Sequence, residues 1–153
     1  MMIELHNVTI EPKIKGLSLT VATGQLLCLS GSQGAGKTTL LKAVLGLIPI
    51  DGGHISINGE LLTPKSAPYF RRSMAYVPQY LSVPEGYNLA TDYLSLLTKA
   101  VESGRPLLIV DEPAQELAAD VQQRVDQLLR EASQRGTTVL AVNSRITPNP
   151  VRL

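Results

Sequence analysis

A glycine-rich segment at residues 31–38, GSQGAGKT, carries residue types that can bind phosphate. It satisfies the pattern G-x-x-x-x-G-K-[ST], in which glycines let successive backbone N–H groups turn inward around phosphate oxygens. A helix beginning near Lys37 would add its positive N-terminal end. We expect Lys37 to reach the β- and γ-phosphates of a nucleotide and the Thr38 hydroxyl to complete a Mg²⁺ shell.

The residues predicted to bind the nucleotide form one continuous stretch, in which Thr39 adds a contact to the α-phosphate. They are Gly31, Ser32, Gln33, Gly34, Ala35, Gly36, Lys37, Thr38 and Thr39. The surrounding pattern is the one this motif requires, because an apolar run at residues 25–30 precedes it and an amphipathic stretch follows it. The motif therefore predicts a nucleoside triphosphate with Mg²⁺ as ligands.

A second group of chemically competent residues ends another apolar run, LLIVDEP at residues 107–113. A carboxylate at the end of a buried strand can meet Mg²⁺ through water, and Asp111 has that position. Glu112 is the candidate general base that polarises the water attacking the γ-phosphate. An apolar strand ending in two acids is common, so the prediction depends on the pairing with residues 31–38.

The elements that must position these groups alternate along the chain. Short apolar runs predict strands, and apolar residues at spacings of three and four predict helices from Lys37 to about Leu47 and from Leu117 to Ala132. This alternation indicates an α/β fold with a mostly parallel sheet flanked by helices, and the motif at residues 31–38 makes the expected fold P-loop NTPase-like. The first strands and the hairpin around Asn58 predict an antiparallel portion near the N-terminus. We expect a single domain over residues 1–153, with a core at 3–143 and an irregular tail at 144–153.

Composition narrows the classes of function. Lys and Arg total 14 while Asp and Glu total 13, so no strong net field attracts nucleic acid, and we predict no nucleic-acid partner. Trp is absent and Phe occurs once, which leaves few rings for stacking bases of single strands. The only cysteine, Cys28, cannot form an internal disulfide and reads as a small apolar core residue.

Four segments in order make the chain resemble the nucleotide-binding subunit of an ABC-type ATPase. They are LSGSQGAGKTTLL at 29–41, GGHISING at 52–59, YVPQ at 76–79 and LLIVDEP at 107–113. The resemblance assigns Gln79 to the glutamine loop, where it would contact Mg²⁺ or the attacking water. It also implies that the chain forms a dimer and that its partners are an integral membrane permease and a second full-length ABC ATPase subunit. The implied location is cytoplasmic, at the inner face of the membrane.

The sequence departs from this family after Gln79. Only 31 residues separate Gln79 from Asp111, where the family normally has a helical subdomain ending in the signature Leu-Ser-Gly-Gly-Gln. Counting back from Asp111 places the signature at residues 87–91, which have neither its serine nor its glycines. Alternatively, residues 84–94 resemble the stretch just after the glutamine loop, with the subdomain and signature deleted. We favour the deletion.

Other departures affect residues that sense the γ-phosphate or complete a partner's site. Under the deletion reading, Asn88 would cap a helix over residues 92–101. Ser144 stands where the family has its switch histidine, and Ala118 where it has an aspartate. The adenine-stacking aromatic has no clear equivalent around residues 10–15. These losses predict slow turnover unless another protein supplies the missing donors.

Two functions of different class follow from these observations. The leading hypothesis is an ATP- and Mg²⁺-binding subunit that couples binding, and slow or partner-dependent hydrolysis, to membrane transport. Its catalytic residues would be Glu112, Gln79 and Lys37, and its metal-binding residues Thr38, Gln79 and Asp111. The alternative is a catalytically degenerate nucleotide-binding module that regulates or scaffolds an ABC-type complex. A non-transport P-loop kinase is less favoured, because no acceptor-binding segment is recognisable.

Two further pairs of residues have simpler interpretations. His6 and His54 have no second ligand at metal spacing and read as surface or hairpin residues. Arg71 and Arg72 read as solvated surface in preference to a docking patch.

Overall fold

A computed structural model describes residues 1–80, 89–143 and 150–153. The strands are β1 (Ile3–Ile10), β2 (Ile14–Val21), β3 (Leu26–Ser30), β4 (Gly52–Ile57), β5 (Glu60–Leu61), β6 (Met74–Val77), β7 (Leu107–Val110), β8 (Thr138–Val142) and β9 (Val151–Arg152). The helices are α1 (Lys37–Val44), α2 (Ala67–Arg71), α3 (Leu89–Glu102) and α4 (Ala119–Gln134). The predicted alternation of strands and helices is confirmed.

A five-stranded parallel sheet forms the centre of the fold, in the order β6-β7-β8-β3-β9. Its inner strands are apolar on both faces, as expected for strands covered on both sides. In β7, Leu107 and Ile109 enter one core cluster, whereas Leu108 and Val110 enter another. Because all strands run the same way, the residues that follow β3, β7 and β8 meet at one edge.

A four-stranded antiparallel sheet, in the order β2-β1-β4-β5, covers one side of this centre. Its β1 buries alternate residues such as Ile3 and Leu5, which gives it one core face and one outer face. Asn58 and Gly59 turn the β4–β5 hairpin with φ of 54° and 83°, values that suit an Asn-Gly turn. The antiparallel portion near the N-terminus is thus confirmed.

Two apolar clusters hold the layers together. The first joins the antiparallel sheet, α1 and one face of the parallel sheet. The second joins the opposite face to α3 and α4, and contains the buried Cys28 and Tyr93. The Leu117-to-Ala132 stripe contributes Val125, Leu128 and Leu129 to this second cluster, which is the core role expected of it.

Several predicted boundaries differ from the structure. Helix α1 ends at Val44, since Leu45 is its C-cap and Gly46 follows with φ of 71°. Helix α2 was not predicted, because five residues are too few to show a helical period. The tail was predicted to be irregular, yet β9 pairs with β3 within it. Asn88, predicted to cap a helix at 92–101, lies outside the described residues, and α3 begins at Leu89.

Arg71 is not simply solvated surface. Its guanidinium donates hydrogen bonds to the carbonyl oxygens of Leu45 and Gly46, at 3.1 and 3.2 Å. These carbonyls lie at the C-terminal end of α1, where the backbone presents acceptors without helical partners and a negative dipole end. The interpretation of Arg71 as a solvated residue was therefore wrong.

Candidate functional site

The segment of residues 31–38, called the phosphate loop from here on, lies between β3 and the start of α1. Gly34 and Gly36 have φ of 83° and 99°, which side chains rarely adopt. At Gly36 a Cβ would lie 2.8 Å from Ile14 Cδ1 and 3.1 Å from Lys13 Cβ, so the β1–β2 hairpin would have to shift to admit a larger residue. Gly36 is the N-cap of α1, and the loop therefore wraps at a helix start.

Lys37 joins the phosphate loop to the acidic residues after β7. Its Nζ donates a hydrogen bond to the Gly31 carbonyl oxygen at 2.8 Å. The same Nζ lies 3.4 Å from Glu112 Oε1, and the Lys37 side chain is only 14% exposed. The ammonium group is thus held at the phosphate loop by one carbonyl and one carboxylate.

Thr38 and Asp111 form the second link between the loop and β7. The Thr38 hydroxyl donates to Asp111 Oδ2 at 2.6 Å, while the Glu112 backbone N–H donates to Asp111 Oδ1 at 2.9 Å. Burial raises the pKa of Asp111 above its ordinary value, against the two hydrogen bonds that lower it. The negative charge of Glu112 also raises this pKa, and Lys37 lowers it.

A cavity of about 600 Å³ opens beside these contacts. The predicted site residues that line it are Gln33, Gly34, Gly36, Lys37, Thr38, Thr39, Gln79 and Glu112. Asp111 is 1% exposed and lies behind Thr38. Gly31, Ser32 and Ala35 are not among the residues that line the cavity. Within the phosphate loop, the Ala35 N–H donates a hydrogen bond to the Ser32 carbonyl oxygen at 3.1 Å.

Gln79 follows β6 and is connected by its backbone to the segment after Glu112. The Ala114 N–H donates to the Gln79 carbonyl oxygen at 3.2 Å. Because Gln79 and Glu112 line the same cavity, the structure brings together the glutamine and the acid that the sequence predicted. Ser144 and residues 87–88 of the predicted signature slot lie outside the described residues, and residues 89–91 of that slot belong to α3.

Tyr93 of α3 is a site residue that the sequence did not single out. Its hydroxyl donates a hydrogen bond to the Asp111 backbone carbonyl oxygen, and its ring is fully buried. Burial raises the pKa of Tyr93, and the nearby negative charges of Asp111 and Glu112 raise it further. The only sequence signal was its position on the apolar face of a helix, which also suits an ordinary core residue.

A polar cluster follows β8 at the same edge of the sheet. The side-chain amides of Asn143 and Gln122 both donate to Asp126 Oδ1 at 2.9 Å. Asn143 and Gln122 also line the cavity. Spacing along the chain gave no sign of this cluster, because it joins two helical residues to a strand end.

The two histidines lie on the outer face of the antiparallel sheet. His6 and His54 pair across β1 and β4, with ring centroids 4.7 Å apart. Within the described residues no group of three or more His, Cys, Asp or Glu side chains is placed to hold a metal ion. None of the helices in the described part is both long enough and apolar enough to cross a membrane.

Sequence comparison identifies similar proteins with named transport roles. Over 85 residues the chain is 42% identical to the manganese transport system ATP-binding protein MntB of Bacillus subtilis, an alignment covering 53% of the chain and 32% of MntB. Over 82 residues it is 40% identical to the vitamin B12 import ATP-binding protein BtuD of Yersinia enterocolitica, covering 54% and 32%. The matched parts thus span about a third of the length of these relatives.

Solved structures of similar fold are ATP-binding subunits or cassettes. An ATP-binding subunit of an ABC transporter superposes with a TM-score of 0.76 at 20% identity, covering 94% of this chain and 79% of that one. An ATP-binding cassette, solved as a dimer in a post-hydrolysis state with ADP and phosphate, gives 0.72 at 18% identity, covering 94% and 88%. Identities this low show the fold alone.

The family model described as ABC transporter matches residues 14–145, which include the phosphate loop, Gln79, Asp111 and Glu112. This match covers most of the chain and agrees with the ATP-binding relatives and with the fold. The chain therefore belongs to the ABC transporter family, among whose ATP-binding proteins its relatives are found.

Proposed function

We propose that this chain binds ATP with Mg²⁺ and serves an ABC-type transporter as a nucleotide-binding subunit. One observation carries the proposal: a helix-start phosphate loop shares a single cavity with Gln79 and Glu112, and its Thr38 hydroxyl is bonded to Asp111. A triphosphate in this loop would accept hydrogen bonds from backbone N–H groups at the positive end of α1. Lys37 would exchange its contact with the Gly31 carbonyl for phosphate oxygens.

The residues at the start of α1 and the end of β7 fit a magnesium ion. Thr38 supplies a hydroxyl oxygen and Asp111 a carboxylate oxygen, both hard ligands of the kind Mg²⁺ prefers, and their oxygens are already 2.6 Å apart. Thr38, Asp111 and the Gln79 side chain are the groups that would hold the ion directly or through water. When bound, magnesium neutralises phosphate charge during transfer.

Hydrolysis would rely on Glu112 as general base. Glu112 is 44% exposed at its side chain and lines the cavity, so water can reach it. Its contact with Lys37 is long, at 3.4 Å, and must loosen when phosphate draws the ammonium group away. Gln79 would orient the attacking water from the neighbouring strand end.

The rate of hydrolysis depends on donors that the described residues and the sequence do not supply. In this family a partner's signature serine and glycine amides complete the site, and no such segment lies between Gln79 and Asp111. Removing one donor to developing negative charge typically costs about 10²- to 10³-fold in rate. We therefore infer slow turnover by the chain alone and faster turnover in a dimer with a signature-bearing ATPase subunit.

Transport would require an integral membrane permease in addition to that subunit. The support is the relatives, which are ATP-binding proteins of a manganese transport system and of vitamin B12 import, and the dimer seen for the similar cassette. The single-domain organisation over residues 1–153 and a peripheral position on the cytoplasmic face of a membrane belong to the same proposal.

Binding is tested by calorimetry with Mg-ATP on wild type, Lys37→Ala and Lys42→Ala. Lys42 is an exposed lysine on the same helix and is the matched control. Loss of a charge-assisted hydrogen bond predicts about 10- to 100-fold weaker binding for Lys37→Ala and no change for Lys42→Ala. Absence of binding heat in wild type, or equal affinities for the two variants, would contradict the proposal.

Hydrolysis is tested by phosphate release from the chain alone and with a signature-bearing ABC ATPase subunit. In the partner subunit, the lysine that corresponds to Lys37 is substituted so that the partner cannot hydrolyse ATP. The phosphate released then comes from the site of this chain. Glu112→Gln should abolish the partner-stimulated rate while leaving ATP binding intact. Binding without hydrolysis in every combination would instead identify a nucleotide-binding regulatory or scaffold module.

A further inference from the structure

Lys13 lies beside the phosphate loop although it is distant from it in sequence. It belongs to the turn between β1 and β2 and lines the same cavity as Lys37 and Thr38. Its Cβ is 3.1 Å from the position that a Cβ on Gly36 would occupy. The side chain of Lys13 therefore starts next to the N-cap residue of α1.

The backbone that carries Lys13 is held in place from several sides. The Lys13 N–H donates to the Ile10 carbonyl oxygen at 3.1 Å, and the Glu11 N–H donates to Asp51 Oδ2 at 2.8 Å. The next residue, Ile14, is buried in the first apolar cluster against the same turn. The backbone of Lys13 is therefore fixed, and only its four-carbon side chain is free to move the ammonium group.

Lys13 and Lys37 differ in whether their ammonium groups already have partners. Lys37 is hydrogen-bonded to the Gly31 carbonyl and paired with Glu112. Lys13 is exposed, and within the described part of the chain it forms no ion pair with a carboxylate. A polyphosphate entering the cavity would therefore meet Lys13 as a cation that has no competing anion to release.

The aromatic residues of the cavity provide little means of selecting a base. The two rings among its described lining residues are Tyr80 and Tyr93. Tyr93 is buried, with its hydroxyl committed to the Asp111 carbonyl, while Tyr80 is 78% exposed. Stacking on an open ring such as Tyr80 tolerates every base, because each base has a π-face.

We infer that Lys13 is a second phosphate-binding cation and that this site recognises the polyphosphate chain of its ligand more than the base. The inference rests on the proposed nucleotide-binding function and adds the class of ligand, a polyphosphate anion with a weakly selected nucleoside. Lys13 belongs to the β1–β2 turn of the antiparallel sheet, whereas the acidic residues follow β7 of the parallel sheet. Its contact is exposed and contributes less than the contact of Lys37.

The test is calorimetry on the full chain with Mg-ATP, Mg-GTP and inorganic tripolyphosphate, at low and high salt. Lys13→Ala should weaken all three by about three- to tenfold and reduce the salt dependence of binding. Lys13→Arg should retain wild-type affinity. Lys15→Ala is the matched control, because Lys15 is an exposed lysine of the same hairpin that does not line the cavity.

The outcomes separate this inference from the function on which it rests. A preference for ATP over GTP greater than about tenfold, or equal affinities for Lys13→Ala and Lys15→Ala, overturns the inference alone if Lys37→Ala still weakens ATP binding by about 10- to 100-fold. Absence of ATP binding by wild type overturns both. Similar affinity for ATP and GTP, with a loss confined to Lys13→Ala, supports the inference.

Discussion

The two groups of residues that meet in the cavity are built in different ways. The phosphate loop is shaped mainly by its own backbone, with glycines at positive φ and a helix that starts at Lys37. The acidic edge, meaning Asp111 and Glu112, is instead positioned by residues far away in the sequence: Thr38, Lys37 and Tyr93. The first is a local structure that one segment can specify, and the second exists only in the folded chain.

This contrast predicts that substitutions in the phosphate loop act through backbone strain. Substitutions at the acidic edge should instead act through the loss of interaction partners. Among the proposed substitutions, Gly36→Ala should have the largest effect on stability, because it combines φ of 99° with a Cβ that would lie 2.8 Å from Ile14 Cδ1. We expect a loss of roughly 2–5 kcal/mol in the free energy of unfolding, measured by denaturant titration.

Gly59→Ala is the control for Gly36→Ala. Gly59 has φ of 83°, but a Cβ there would meet no atom within 4 Å. Gly59→Ala should lower the free energy of unfolding only by the cost of a positive φ for alanine, about 1–2 kcal/mol. Equal losses at the two glycines would show that contact with the β1–β2 hairpin does not constrain the phosphate loop.

Asp111→Asn tests the acidic edge where it faces the proposed metal. Replacing the carboxylate should weaken Mg-ATP binding by about 10- to 100-fold, with little effect on ATP measured with EDTA present. Because burial raises the pKa of Asp111, its charge is costly in the folded chain at neutral pH, and the variant should gain roughly 0.5–2 kcal/mol in stability.

Calorimetry with and without magnesium, combined with a thermal melt, measures both effects of Asp111→Asn. Thr138→Val serves as a comparison at a second buried polar side chain, away from the proposed metal site. It should leave the magnesium dependence unchanged. A variant at Asp111 that is less stable than wild type would indicate that the bonds from Thr38 and the Glu112 N–H outweigh desolvation.

Tyr93→Phe removes one hydroxyl and keeps the ring that fills the second cluster. The Asp111 carbonyl would lose its buried donor, which predicts a loss of about 1–2 kcal/mol in stability. If the hydroxyl also positions the acidic edge, partner-stimulated hydrolysis should fall while the affinity for ATP without magnesium stays constant. An unchanged hydrolysis rate alongside reduced stability would limit Tyr93 to a structural role.

The same contrast explains how far the sequence alone could go. Residues 31–38 and the runs at 25–30 and 107–110 predicted the strand-loop-helix unit and the parallel sheet, because their patterns are local and periodic. The contact of Tyr93 with Asp111, the cluster around Asp126 and the approach of Lys13 to Gly36 were not predictable. Each joins residues that become neighbours only through sheet order, and each side chain has an ordinary core or surface interpretation in isolation.

Arg71→Ala should have the smallest effect and tests whether the phosphate loop depends on the whole of α1 or only on its first turn. The guanidinium of Arg71 binds carbonyls at the far end of that helix, so its loss should lower stability by about 0.5–1.5 kcal/mol. Nucleotide affinity should not change, because the loop is fixed by Gly36 and by Lys37 and Thr38 in the first turn. Arg72→Ala, at the neighbouring arginine, should change stability by less than about 0.5 kcal/mol. A drop in ATP affinity for Arg71→Ala, measured by the same calorimetry, would mean that the loop is not specified locally and that α2 helps to hold it.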